Sequence, residues 1–99
     1  MIQATTPTFV LTLPNDVDLT QANEILFSLC MGNVQLTKHT ADMTVTAHTV
    51  SVYLSQAETL QFARGTAMLQ LNWTYGDGSR ACSNIVNVDV GANLYKEVM

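Results

Sequence analysis

Three groups of residues have types and spacings that could do chemistry. His39, Asp42 and His48 offer two imidazoles and a carboxylate, the donors a divalent metal takes. They fall on loops around one predicted hairpin without a fixed ligand spacing. The ordinary reading is isolated surface histidines, and no metal and no cofactor is expected. Asn15, Asp16 and Asp18 resemble the opening of a calcium loop, but the glycine and the distal bidentate glutamate of such a loop are missing. Asp18 is therefore read as a helix cap. For nucleophilic catalysis, Cys30 or one of five serines would need a base positioned beside it, and neither histidine lies on a rigid element that would place it there. No catalytic residue is expected, and the chain is not read as an enzyme.

Cys30 and Cys82 lie far apart on separate predicted strands, a pattern that two buried thiols explain as well as one disulfide. A reducing compartment favours the thiols. The stretch LNWTYGDGSR carries the only tryptophan of the chain, two residues before the tyrosine that leads into a Gly-Asp-Gly turn. An aromatic and an arginine near a loop could form a recognition tip. Trp73, however, alternates in phase with Leu69 and Leu71, which puts it in the core.

The elements that must position these residues are strands. Alternation of apolar and polar residues marks Phe9, Leu11 and Leu13; Ile25, Phe27 and Leu29; Val34 and Leu36; Met43, Val45 and Ala47; and Val50, Val52 and Leu54. The longest run takes Ala67, Leu69, Leu71, Trp73 and Tyr75, and a last strand covers 81–90. There Ala81 and Ile85 fall out of phase with Val86, Val88 and Val90, which predicts a bulge near Asn84 and Ile85. Pro14-Asn15-Asp16, Met31-Gly32-Asn33, Lys38 to Asp42 and Gly76-Asp77-Gly78 supply turns. Ser55-Gln56-Ala57-Glu58 and Asp18-Leu19-Thr20-Gln21 each match a capping box, the first tucking Leu60 or Phe62 under the end of the sandwich. About seven short strands with one or two helical turns predict an all-β, immunoglobulin-like sandwich forming a single domain over 1–99. It is not a true immunoglobulin domain, because Cys30, Trp73 and Cys82 fall on the second, sixth and seventh strands.

Composition narrows the partners. The 99 residues carry four Lys and Arg against eight Asp and Glu, a net charge of −4, and Lys38, Arg64, Arg80 and Lys96 are scattered. Phosphates need clustered cations, so neither nucleic acid nor an anionic membrane is expected as a partner. No run approaches the ~18 apolar residues of a membrane span, and MIQATTPTFV has no basic segment leading into an apolar one. Synthesis in the cytoplasm is the expectation. Only 12% of residues are charged, while Thr, Asn, Gln and Ser abound, a surface suited to assembly.

Several segments together resemble a known family: TPTFVLTLP, VDLTQANEILFSLCMG, VQLTKH, TVSVYLSQAETLQF, LNWTYGDGSRACSNIVNVDV and ANLYKEVM. The chain is similar, over nearly its whole length, to small proteins encoded in the structural-gene regions of tailed phages and prophages of Gram-positive bacteria. The block from Leu54 to Phe62, the hairpin from Thr74 to Val86, and Leu94, Glu97 and Val98 carry the resemblance. Cys30 and Met31 depart from the pattern. The resemblance implies a virion-associated β-sandwich similar to N-terminal domains of baseplate proteins, with other virion proteins or further copies as partners and no reaction of its own. Head decoration is a further placement it allows. A host-surface or glycan-binding module is the alternative, with Tyr53 and Tyr75 as its aromatics. The free sheet edges and the apolar C-terminal residues Leu94, Tyr95, Val98 and Met99 are the expected partner contact, with Leu94, Val98 and Met99 on one side of a short helix.

Overall fold

The computed structural model describes residues 1–96. Its strands are β1 (Thr8–Thr12), β2 (Ala22–Met31), β3 (Val34–His39), β4 (Met43–Val45), β5 (Thr49–Tyr53), β6 (Gly65–Tyr75), β7 (Arg80–Cys82) and β8 (Val86–Val90). They form two antiparallel sheets, one ordered β1-β5-β4, the other β3-β2-β6 with β7 and β8 sharing the far edge of β6. With β1, β5 and β4 as strands B, E and D facing β3, β2, β6 and β7/β8 as C′, C, F and G, this is the immunoglobulin order, without a strand A beside β1 among the described residues. An all-β sandwich is what the alternating pattern predicts.

The core follows from register. Ile25 pairs with Trp73, Phe27 with Leu71 and Leu29 with Leu69 across β2 and β6, while Phe9 pairs with Val52 and Leu11 with Val50 across β1 and β5. Successive side chains alternate faces, so each set points at the other sheet. Phe27, Leu29, Val50, Val52 and Leu71 are wholly buried. The rings of Phe9 and Phe27, one from each sheet, stand 6.0 Å apart at 40°, within the range of favourable tilted packing.

The connections do what their residues dictate. Ser55 Oγ accepts from Glu58 N at 3.2 Å and Glu58 Oε1 accepts from Ser55 N at 2.9 Å, closing the expected capping box over a single turn, Gln56–Thr59. Behind it Phe62 is buried, as expected, whereas Leu60 is half-exposed. Lys38 Nζ reaches Glu58 at 2.7 Å, tying β3 to this turn. Asp18 caps the 3-10 turn Leu19–Gln21 through Thr20 N and Thr20 Oγ1, one residue short of the box position. The turn predicted at Lys38 to Asp42 contains a third short helix, the 3-10 turn Thr40–Asp42. Ala47 falls outside β4 and gives its carbonyl to Leu19 N.

The last predicted strand corrects the count from seven to eight. Instead of a one-residue bulge, the chain leaves the ladder over Ser83–Ile85 and rejoins it in the opposite phase. Ser83 makes this possible: its N donates to Leu71 O at 2.9 Å and its Oγ accepts from Leu71 N at 3.0 Å, so a hydroxyl stands where a strand carbonyl would be. Gln70 Nε2 donates to Ser83 O at 2.9 Å. Below this break the first residues line β8. Ile2 bridges Gly91 in parallel, with Met1 N on Asp89 O, Gly91 N on Met1 O and Gln3 N on Gly91 O.

Candidate functional site

Several of the residues singled out by type have structural occupations. Trp73 is 4% exposed, and its Nε1 donates to Tyr75 Oη at 2.9 Å. Tyr75 is thus half-buried and engaged, which removes it as an exposed recognition aromatic. Arg80 is also held in the sheet, its Nη2 donating to Asn72 Oδ1 at 3.0 Å. At the tip, Asp77 Oδ1 accepts from the amide and hydroxyl of Ser79. Those two bonds, hydroxyl first, hold its carboxyl below the usual aspartate range. Gly78 takes φ +88, a conformation the turn requires and side chains resist.

The metal-type donors are dispersed. His48 Nδ1 lies 2.6 Å from Val17 O, and Asp42 Oδ2 accepts from His39 N at 3.2 Å. His39 Nδ1 stands 3.6 Å from Glu24 Oε1. Among the described residues no group of three or more His, Cys, Asp and Glu is placed to hold a metal. The carboxyl of Asp18 is lowered by the Thr20 hydroxyl and then by its amide, as a cap should be. Cys30 and Cys82 are both free thiols; neither is fully buried, and Cys82 is exposed, so the expectation of buried thiols holds for neither. No described helix is long and apolar enough to cross a membrane.

The proposed tail contact divides. Leu94 is fully exposed and Tyr95 is 57% exposed, and residues 92–96 are not helical, which corrects the expected short helix over Leu94 and its neighbours. Chain direction there is set instead by Asn93, whose Nδ2 donates to Gln3 O at 3.0 Å and whose Oδ1 accepts from Tyr95 N at 3.1 Å. Val98 and Met99 lie outside the described residues.

What the sequence reading missed is on the flank of the sandwich. A cleft of about 730 Å³ runs between the outer edge of β1 and the outer edge of β7, floored by Leu11, Leu13, Val17, Trp73, Ala81 and Val86. Among the described residues no Asp, Glu, Lys, Arg or His lines it. Its floor is core: Val86 belongs to the inward face of β8 yet is 47% exposed, with no strand among the described residues over it. Its walls are backbone. Leu13 N donates to His48 O and Leu54 N to Pro7 O, so the odd-numbered residues of this stretch bond β5. By antiparallel alternation the N–H and C=O groups of Val10 and Thr12 point outward. Ser79 and Ser83 bond β6 in the same way, which leaves those of Arg80 and Cys82 outward on the opposite wall. The phase change at Ala81 and Ile85 signalled the break in this strand; nothing signalled that its floor stays uncovered.

Fold and site together define an immunoglobulin-type sandwich with an open flank. Set against models of protein families, curated proteins and solved structures, the chain has no match.

Proposed function

We propose that the protein is a non-enzymatic structural component of a tailed-phage or prophage virion, made in the host cytoplasm and built into the tail or baseplate. The observation that carries this reading is the uncharged apolar cleft bordered by two unpaired strand edges. Such edges bind by backbone hydrogen bonds and by seating alternate side chains, which is how a module without a charged patch joins neighbours. The resemblance of its segments to phage structural-region proteins supports the placement. The test is mass spectrometry and immunodetection on gradient-purified particles after induction of a lysogen carrying the gene. The protein is expected in the particle fraction at the stoichiometry of a structural component; its recovery only in free lysate protein would contradict the proposal.

A second reading follows from Tyr53. The residue is 55% exposed beside a shallow depression of about 310 Å³ that also involves Thr8, Asp42, Thr44 and Ser51. An aromatic face flanked by hydroxyls and a carboxylate is suited to a saccharide ring. Binding on a glycan array that is lost in Tyr53→Ala would support this host-surface role.

A further inference from the structure

We infer that the open flank is filled by the C-terminal segment of a second copy of this chain, which adds as a strand along the outer edge of β1 and covers Val86, Ala81 and Trp73. This deepens the assembly reading above, on which it rests, by naming the partner.

The groove needs an extended, largely apolar occupant. The place beside β1 is that of strand A in the complete immunoglobulin order, and the outward amides of Val10 and Thr12 offer the ladder such a strand would use. The lower half of the same flank already shows the arrangement. Met1 to Gln3 lie against β8 through Met1 N to Asp89 O and Gln3 N to Gly91 O, and Val90 beneath them is 3% exposed. Above Met1 the covering stops, and exposure of the same face rises to 47% at Val86.

The chain carries an occupant of that kind in Leu94-Tyr95-Lys96-Glu97-Val98-Met99, four of whose six residues are apolar. Leu94 is fully exposed where the segment leaves the domain. In an extended strand Leu94 and Val98 share one face, with Lys96 between them able to lay its methylene stem on apolar surface and carry its charge outward.

Geometry makes the contact intermolecular. The tail departs beside Gln3, to which Asn93 is bonded, and Gln3 Nε2 in turn donates to Phe62 O just before the Gly65 end of β6. The groove runs along that strand from Val86, which pairs with Leu69 roughly 13 Å from the Gly65 end at strand rise, to Ala81 and Trp73 at roughly 26 Å. Six extended residues span at most ~20 Å. Residues 94–99 of the same copy would reach Val86 and stop short of Ala81 and Trp73, so covering the whole groove takes the tail of a second copy. A tail at one end and a groove at the other make a heterologous, head-to-tail contact, which closes into a ring or propagates as a filament.

The test uses two full-length variants. Leu94→Asp spoils the tail and leaves the groove; Val86→Asp spoils the groove and leaves the tail. Both positions are exposed, so both variants should unfold at the parent's temperature with blue-shifted Trp73 emission. If Val86→Asp does not, Asn84→Arg, aimed at the rim from an exposed position, replaces it. By analytical ultracentrifugation the parent should grow beyond a dimer with concentration, and each variant should stay monomeric. An equimolar mixture should give a two-chain species and nothing larger, since one good tail meets one good groove. A parent that remains monomeric, a variant that assembles like the parent, or a mixture that remains monomeric would overturn the inference. Detection of the protein in purified particles is independent of these outcomes, so failure here is distinguishable from failure of the virion reading.

Discussion

Val86 and Val90 stand four residues apart on the same inward face of β8, yet Val90 is 3% exposed and Val86 is 47% exposed. The residues between them keep strict alternation, so the difference comes from what lies above the strand: Met1 to Gln3 over Val90, and the open cleft over Val86. Burial is the source of stability for a valine, so the two should respond differently to truncation. Val90→Ala should destabilise the domain by about 1.5 to 3 kcal/mol. Val86→Ala, measured by urea denaturation at concentrations where the protein is monomeric, should fall within about 0.5 kcal/mol of the parent.

Trp73 and Tyr75 supply a second test. Trp73→Ala leaves a cavity under both sheets and should cost about 3 to 5 kcal/mol, a large share of a small domain's stability. Tyr75→Phe keeps the ring and removes the acceptor of Trp73 Nε1. It should cost about 1 to 3 kcal/mol through the unpaired indole N–H. An unchanged denaturation midpoint in Tyr75→Phe would show that water replaces the hydroxyl.

Ser83 holds the break between β7 and β8. Ser83→Ala deprives Leu71 N of its acceptor, and a loss of about 1 to 3 kcal/mol is expected. Leu71 N should then exchange its hydrogen faster than its neighbours on β6. Equal protection in parent and variant would mean that the backbone closes the gap without the hydroxyl.

Glu58 makes stability depend on pH in a known sense. Partial burial raises its carboxyl, but this is outweighed by the Lys38 ammonium and the Ser55 amide, so the net shift is downward from 4.5. A folded-state value below the unfolded one contributes stability that is present above the unfolded value and lost as pH falls through the folded one. Glu58→Gln should therefore be less stable than the parent near neutrality, with the difference shrinking as pH drops below 4.5. Because the pair is near the surface, added salt should shrink it as well. A pH-independent difference would assign the effect to packing.

Much of this fold was legible because period-2 patterning and capping residues are local signals. The alternation of Leu69, Leu71 and Trp73 fixed which face is core, and Ser55 with Glu58 fixed the turn that follows β5. The phase slip between Ala81 and Val86 told that the last strand is interrupted, but whether by a bulge or by a break depends on Ser83 meeting Leu71 across the sheet, a contact that no local pattern encodes. The cleft was hidden for a stronger reason. Val86 and Val90 are the same residue type in the same phase of one strand; the path of Met1 to Gln3, some ninety residues distant, separates a covered valine from an open one. Tyr75 misled in the same way, since its hydroxyl is committed to an indole two residues away on the same face.

A strand docking on the outer edge of β1 must protect the amides that point outward from it. Amide hydrogen exchange read residue by residue at low and high protein concentration detects that protection. At low concentration the amides of Val10 and Thr12 should exchange at rates near those of unprotected backbone, while those of Leu11 and Leu13, bonded toward β5, stay slow. At high concentration Val10 and Thr12 should become protected in the parent and remain fast in Leu94→Asp. Assembly without any gain of protection at Val10 and Thr12 would contradict the account, because the copies would then meet through some other surface.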